Sequence, residues 1–92
     1  MQVIFSSGAW ADYLLWRAND RQILRRINRL INDIARDDDP ASGIGKPEIL
    51  RHNYSGYLSR RITDEHRLVY VTSVKDGEIE VLIASCRYHY SK

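Results

Sequence analysis

Apolar residues recur along residues 21–36 at the period of an α-helix. Ile23, Ile27, Leu30, Ile31 and Ile34 fall on one face, and Arg21, Arg25, Arg26, Arg29, Asn32, Asp33 and Arg36 on the other. Asn19 to Gln22 has capping-box spacing, so the helix is expected to begin at Asn19-Asp20. Asp37-Asp38-Asp39-Pro40 should end it, because Pro40 disfavours helical geometry at Asp39. Upstream, residues 1–5 hold β-branched and aromatic side chains stopped by Ser6-Ser7-Gly8, the pattern of a short strand. Ser6 or Ser7 can then cap a first helix whose inner face is expected to be Trp10, Tyr13 and Leu14.

Residues 40–56 show no sustained period and contain Gly43, Gly45, Pro47 and Gly56, which reads as a loop. Ile44, Ile49, Leu50 and Tyr54 give that loop apolar anchors, and so long a connection in a small domain tends to serve a function. A hairpin follows, with strands at 57–62 and 66–72 around Thr63-Asp64-Glu65. A wider turn at Lys75-Asp76-Gly77 leads to a last strand from Ile79 to near Tyr88. Val81-Leu82-Ile83-Ala84 is apolar on both faces, which suits a central strand. The expected fold is α+β with element order β-α-α-β-β-β, two N-terminal helices packed on a mostly antiparallel sheet.

Composition narrows the class. Ninety-two residues, 43% hydrophobic and 28% charged, describe one globular domain spanning 1–92. No apolar run approaches the roughly 18 residues of a membrane span, and the start lacks the basic and apolar segments of a secretory signal. Cys86 is the single cysteine, so no internal disulfide can form and a reducing cytoplasm is the expected location. Neither a Gly-x-Gly-x-x-Gly nor a phosphate-loop pattern occurs.

The net charge of +2 is unevenly placed. Residues 1–40 and 73–92 are each balanced, and the excess lies in 41–72, where Lys46, Arg51, Arg60, Arg61 and Arg67 outnumber Glu48, Asp64 and Glu65. Eleven arginines to three lysines favours planar, bidentate phosphate contact, although an ordinary solvated face would look the same by charge alone. Metal binding has little support: Cys86 and His89 are three apart, which on a strand sends them to opposite faces, and further ligands are wanting. Cys86 belongs to a buried strand and suits packing better than nucleophilic chemistry.

Strand alternation groups Arg61 with Tyr57 and Ser59, opposite Leu58, Arg60 and Ile62. It groups Arg67 with Val69 and Val71, opposite His66, Leu68 and Tyr70. A carboxylate, a guanidinium and an imidazole on neighbouring elements suffice for metal-free RNA cleavage: a base for the ribose 2′-hydroxyl, a cation for the phosphate, an acid for the departing 5′-oxygen. Glu48, Arg67 and His89 fit those needs. Each also has a plainer reading, as a solvated loop acid, a hairpin charge and a chain terminus.

The motifs Lys46-Pro47-Glu48, Arg51-His52-Asn53, Ser59-Arg60-Arg61-Ile62-Thr63, Glu65-His66-Arg67-Leu68-Val69-Tyr70 and Cys86-Arg87-Tyr88-His89-Tyr90 resemble the YoeB (Txe) toxins of the RelE-like superfamily. Trp10-x-Asp12-Tyr13 and Ile27-Asn28-x-Leu30-Ile31 extend the likeness over nearly the whole chain. The resemblance implies a type II toxin, a ribosome-dependent mRNA endoribonuclease acting in the ribosomal A site without cofactor or metal. It also implies a YefM-type antitoxin partner and admits a homodimer. Carried over by motif, Glu48 would be the general base, His89 the general acid and Arg67 the transition-state cation. Tyr90 would shape the end of the site, and Lys46, Arg51 and Arg61 would bind RNA. Two other readings stay open: an RNA- or ribosome-binding module that acts by occupancy, and a co-repressor bound to its antitoxin. Three positions depart from the usual pattern: Ser91-Lys92 follow the His-Tyr pair, Arg51 stands where lysine is common, and the turn from Ser73 to Gly77 is long.

Overall fold

The computed structural model describes residues 1–36 and 39–88. Asp37, Asp38 and the terminal residues 89–92, which include His89, Tyr90, Ser91 and Lys92, lie outside the described residues. The elements run β1 (Gln2–Phe5), α1 (Ser7–Asn19), α2 (Arg21–Arg36), β2 (Glu48–Ile49), a 3-10 turn (His52–Tyr54), β3 (Leu58–Arg61), β4 (Arg67–Lys75) and β5 (Glu78–Ser85). Two helices thus pack on a five-stranded sheet of order β1-β5-β4-β3-β2, antiparallel except for the β1–β5 pair. The α+β expectation holds, with one strand added: β2 lies in the segment expected to be loop.

The local signals act where the chemistry requires. Ser6 is the first cap, its hydroxyl oxygen accepting from the Ala9 N–H at 3.1 Å while its own proton goes to the Ala84 carbonyl at 2.9 Å. One side chain therefore starts α1 and fastens it to β5. The second helix is capped one residue later than the spacing suggests. Asp20, not Asn19, accepts from the Gln22 and Ile23 N–H groups, while the Asn19 amide bonds back to Leu15 as the last residue of α1. The α2 stripe is as read: Ile27, Leu30, Ile31 and Ile34 are buried, and Ile23 packs at their margin.

Helix α1 departs further. Its buried side is Ala9 and Trp16, with Tyr13 and Leu15 partly covered, whereas Trp10 and Leu14 are 48% and 40% exposed. Trp10 instead stacks on Tyr13 at 5.7 Å and meets Phe5 edge-on at 5.6 Å, an aromatic cluster at the margin of the core.

The helices cover one face of the sheet, where Leu58, Leu68, Tyr70, Val81 and Ile83 join the α2 stripe. Register fixes the other face. Glu48 pairs with Ser59, Ser59 with Val69, and Arg61 with Arg67, so these five side chains share the face away from the helices. An extra residue, Ala84, interrupts the β4–β5 ladder between the Val69–Ser85 and Tyr70–Ile83 pairs, the local signature of a bulge.

A fully buried arginine organises the segment between α2 and β2. Arg60 counted towards the basic excess in the sequence, yet on β3 it points into the helix-covered face with no solvent exposure. Its Nε donates to the Tyr70 hydroxyl at 2.9 Å, and Nη1 donates to Asp33 at 2.6 Å and the Ile44 carbonyl at 3.1 Å. Nη2 reaches the Pro40 and Ser42 carbonyls at 3.1 and 2.6 Å, so all five N–H donors of the guanidinium have acceptors. Tyr70 in turn donates to the Pro40 carbonyl at 2.6 Å. Gly43 passes so close that a Cβ there would fall 2.1 Å from the Asp33 carboxylate and 2.9 Å from the guanidinium, at φ +114°.

Removing one member of a buried, fully bonded pair costs about 3–5 kcal/mol. Arg60→Met should lower the unfolding free energy by that order in urea titrations, and more than Asp33→Asn, since Asp33 is partly solvated. The Arg60 hydrogen bond, then the Ile44 N–H, hold the Asp33 carboxyl below the ordinary carboxylate range. Its ionised form thus stabilises the fold above about pH 4, and that share is lost as pH falls through the lower folded value. Acid unfolding followed by circular dichroism should show Asp33→Asn with a shallower decline in stability below pH 4 than the parent.

Candidate active site on the open face of the sheet

The chain reaches the open face through residues that Arg60 holds in place. The Gly45 carbonyl accepts from the Arg61 N–H at 2.7 Å, which sets the start of Lys46-Pro47-Glu48 beside β3. Lys46 is exposed and sits at φ +50°, a left-handed backbone that turns the chain into β2. Glu48 then pairs with Ser59 on the edge of the sheet, with its side chain exposed. With strands about 4.8 Å apart and about 3.4 Å per residue, the Glu48 Cα stands roughly 8 Å from that of Arg61 and roughly 12 Å from that of Arg67. Those separations suit a long carboxylate and two long guanidinium side chains around one phosphodiester.

Arg61 and Arg67 stand directly opposite each other across β3 and β4. Like charges at directly opposed sheet positions repel, so the pairing is unfavourable unless an anion or nearby acceptors relieve it. Among the described residues that relief is partial. Arg67 donates through Nη1 to the Thr63 carbonyl at 2.9 Å and more loosely to those of His66 and Asp64, and among the described residues it uses only that nitrogen. Arg61 has its Nη1 3.9 Å from the exposed Asp64 carboxylate, and its covered Nε has no hydrogen-bond partner among the described residues. Among the described residues both guanidiniums keep donors to spare, and they face the same way as Glu48.

Arg51 is exposed just before the 3-10 turn, and with Glu48, Leu50 and His52 it lines an open cleft of about 570 Å³ on the β2 side. The structure therefore brings Glu48, Arg61 and Arg67 to one face and sets Lys46 and Arg51 at its β2 margin. His89 and Tyr90, the remaining expected members, lie outside the described residues.

The segment leading to them is held from two sides, by α1 and by the start of β4. Its first residue, Cys86, is gripped by α1: the Asp12 carboxylate accepts its N–H at 3.3 Å and the Trp16 indole donates to its carbonyl at 2.8 Å. Tyr88 is gripped from the start of β4: His66 Nδ1 accepts its N–H at 2.7 Å, and the Arg67 N–H donates to its carbonyl at 3.0 Å. Sequence reasoning placed His66 with Leu68 and Tyr70, opposite Arg67, and gave it no part in the site. Asp12 was visible only as a member of a family-like motif, and Trp16 carried no signal at all. These contacts join residues 70 or more positions apart, or depend on which ring nitrogen faces a backbone amide, and no spacing rule exposes either.

Comparison with known proteins locates the chain. Residues 5–90 match the model of a family described as YoeB-like toxin of bacterial type II toxin-antitoxin system. The chain is 53% identical to the toxin YoeB of Escherichia coli K12 over 90 residues, which cover 98% of this chain and all of that one. Among solved structures it is similar to a YoeB dimer from Staphylococcus aureus, with 47% identity and a TM-score of 0.80 over 98% of each chain. It is similar also to the toxin in a heterotetrameric YoeB-YefM toxin-antitoxin complex from the same organism, with 46% identity and a TM-score of 0.82 over 98% of each chain.

Cys86 belongs to the framework of this site. It is wholly buried, its thiol lies 3.6 Å from the Ala9 carbonyl, and burial pushes its pKa up to about 12, with the Asp12 carboxylate adding to the rise. A thiol without thiolate is a poor nucleophile. Native protein should therefore resist iodoacetamide at pH 8, whereas denatured protein is alkylated within minutes, as intact mass will record.

Proposed function

The chain belongs to the YoeB-like toxin family of bacterial type II toxin-antitoxin systems, and from that premise we propose that it is a ribosome-dependent endoribonuclease cutting mRNA in the ribosomal A site. The observation that carries the proposal is the opposed Arg61–Arg67 pair on the same sheet face as Glu48. Such a face suits an anion that spreads charge over several oxygens, as a phosphodiester does on its way to cleavage.

In this reading Glu48 takes the proton from a ribose 2′-hydroxyl, and the freed oxygen attacks the adjacent phosphorus. Arg67, with Arg61 beside it, offsets the charge that builds on the non-bridging oxygens. His89 protonates the departing 5′-oxygen, and Tyr90 shapes the site around it. The P–O5′ bond breaks, which leaves a 2′,3′-cyclic phosphate on one fragment and a 5′-hydroxyl on the other; water can open the cycle to a 3′-phosphate. Acid and base exchange one proton each, and no cofactor or metal enters the balance. Lys46 and Arg51 at the margin would hold flanking RNA through its phosphates.

The partners follow from the same premise. A YefM-type antitoxin is proposed for this chain because a relative 46% identical was solved in a complex with YefM. Self-association is proposed because a relative 47% identical was solved as a dimer. The cytoplasm, where translating ribosomes are found, is the proposed site of action. Among the described residues no helix is long and apolar enough to cross a membrane.

Positioned acid–base groups contribute about 10²–10⁴ in rate. On programmed ribosomes with an open A site, Glu48→Gln and His89→Gln should each slow single-turnover cleavage by about that factor, and Arg67→Ala by about 10²–10³. Mapping of the fragments should return new 5′-hydroxyl ends. Stalled ribosomes that carry intact message with the parent protein would refute cleavage and favour action by occupancy.

A further inference from the structure

We infer that His66 is a positioning residue: its unprotonated Nδ1 holds the Tyr88 main chain and thereby sets where the next residue, His89, enters the site. The inference deepens the cleavage reading and rests on it for the role of His89. The geometry of the hold stands on its own.

Three features define it. First, the Tyr88 peptide is gripped at both ends by neighbouring residues, the N–H by His66 Nδ1 at 2.7 Å and the carbonyl by the Arg67 N–H at 3.0 Å. The side chain proposed to steady the phosphate and the backbone that precedes the proposed acid are thus referred to one short stretch of chain. Second, Tyr88 sits at φ +60°, a left-handed backbone uncommon for a residue with a Cβ. Such a conformation persists where surrounding contacts over-determine it, and here it sets the turn of the main chain at Tyr88. Third, the imidazole is fixed. It is 7% exposed and packs edge-on against Trp16 at 4.7 Å. Thr63 Oγ1 accepts the His66 N–H at 3.1 Å, and the His66 carbonyl accepts from Ile62 and Thr63.

The bond to Tyr88 assigns the tautomer. Nδ1 accepts, so the ring proton is on Nε2, which lies 3.8 Å from the exposed Glu65 carboxylate. Trp16 adds a second link, because the same indole that buttresses the imidazole donates to the Cys86 carbonyl two residues before Tyr88. Helix α1, the hairpin turn and the terminal segment meet at this ring. A core histidine retained for packing alone would not need its Nδ1 lone pair aimed at the peptide before the terminal His-Tyr pair.

Two amides of like chemistry separate positioning from packing. Asparagine places its carbonyl oxygen where Nδ1 lies, whereas glutamine places its oxygen near Nε2. His66→Asn should keep kcat on programmed ribosomes within threefold of the parent. His66→Gln should lower kcat at least tenfold with KM within twofold. The Tyr88 amide, followed by hydrogen exchange, should remain protected in H66N and exchange at least tenfold faster in H66Q. If the two variants match each other, both parent-like or both impaired, the hold is refuted. A parent protein that cuts no message would overturn the cleavage reading, and amide exchange in the same two variants would still decide the hold.

Discussion

A charge with no access to water has to be answered by geometry, and in this chain Arg60 is that charge. Its five donors are shared among a helix carboxylate, a tyrosine hydroxyl and three backbone carbonyls. A buried ion pair is weak evidence for added stability, since desolvation offsets most of its attraction. What it supplies is definition. The carbonyls of Pro40, Ser42 and Ile44 would otherwise lie on a connection with no periodic structure, and the guanidinium gathers them onto the underside of β3. Gly43 and Gly45 allow the approach, as a Cβ at the latter would fall 2.8 Å from Leu30. The chain then leaves this anchor at a fixed height and direction, and the next few residues are Lys46, Pro47 and Glu48.

The same strand carries the second half of the arrangement. Arg60 and Arg61 are consecutive, and strand parity sends them to opposite faces. One is spent on the scaffold, with no exposure; the other stands opposite Arg67 on the open face. A one-residue slip of β3 would exchange them, placing an exposed scaffold arginine among solvent and a site arginine under the helices. Register on this short strand therefore decides which arginine reaches the proposed site, and the hydrophobic pattern Leu58, Ile62 around it fixes the choice.

Much of this was legible in the sequence. The α2 stripe has an unambiguous period, the hairpin alternation separated Arg61 from Arg60 and Arg67 from His66, and the apolar run at 81–84 marked a strand paired on both sides. The failures share one cause, namely that local chemistry was read without the tertiary partner. Arg60 was counted as surface charge because its partners are 10 to 27 residues distant. Trp10 and Leu14 looked like an inner face because they are large, whereas the small Ala9 is the wholly buried residue and Trp10 packs sideways on Tyr13. Strand β2 was missed because two residues carry no period; it pairs with β3 just after the loop that Arg60 holds.

That last arrangement bears on how so small a domain could hold the proposed site, whose parts come from three places. A loop alone would leave Glu48 free to wander, and a terminal segment alone would fray. Here the loop is referred to β3 by Arg60 and the Arg61 amide, and the terminal segment to β4 by His66 and Arg67. Both references end on the same hairpin, whose strands differ by one peptide-to-peptide spacing. Errors in placing the two outlying parts are therefore measured from a common frame and do not accumulate along the chain. The cost is that turn residues such as Thr63, whose hydroxyl oxygen orders the Glu65 and His66 amides, lie as close to function as to fold.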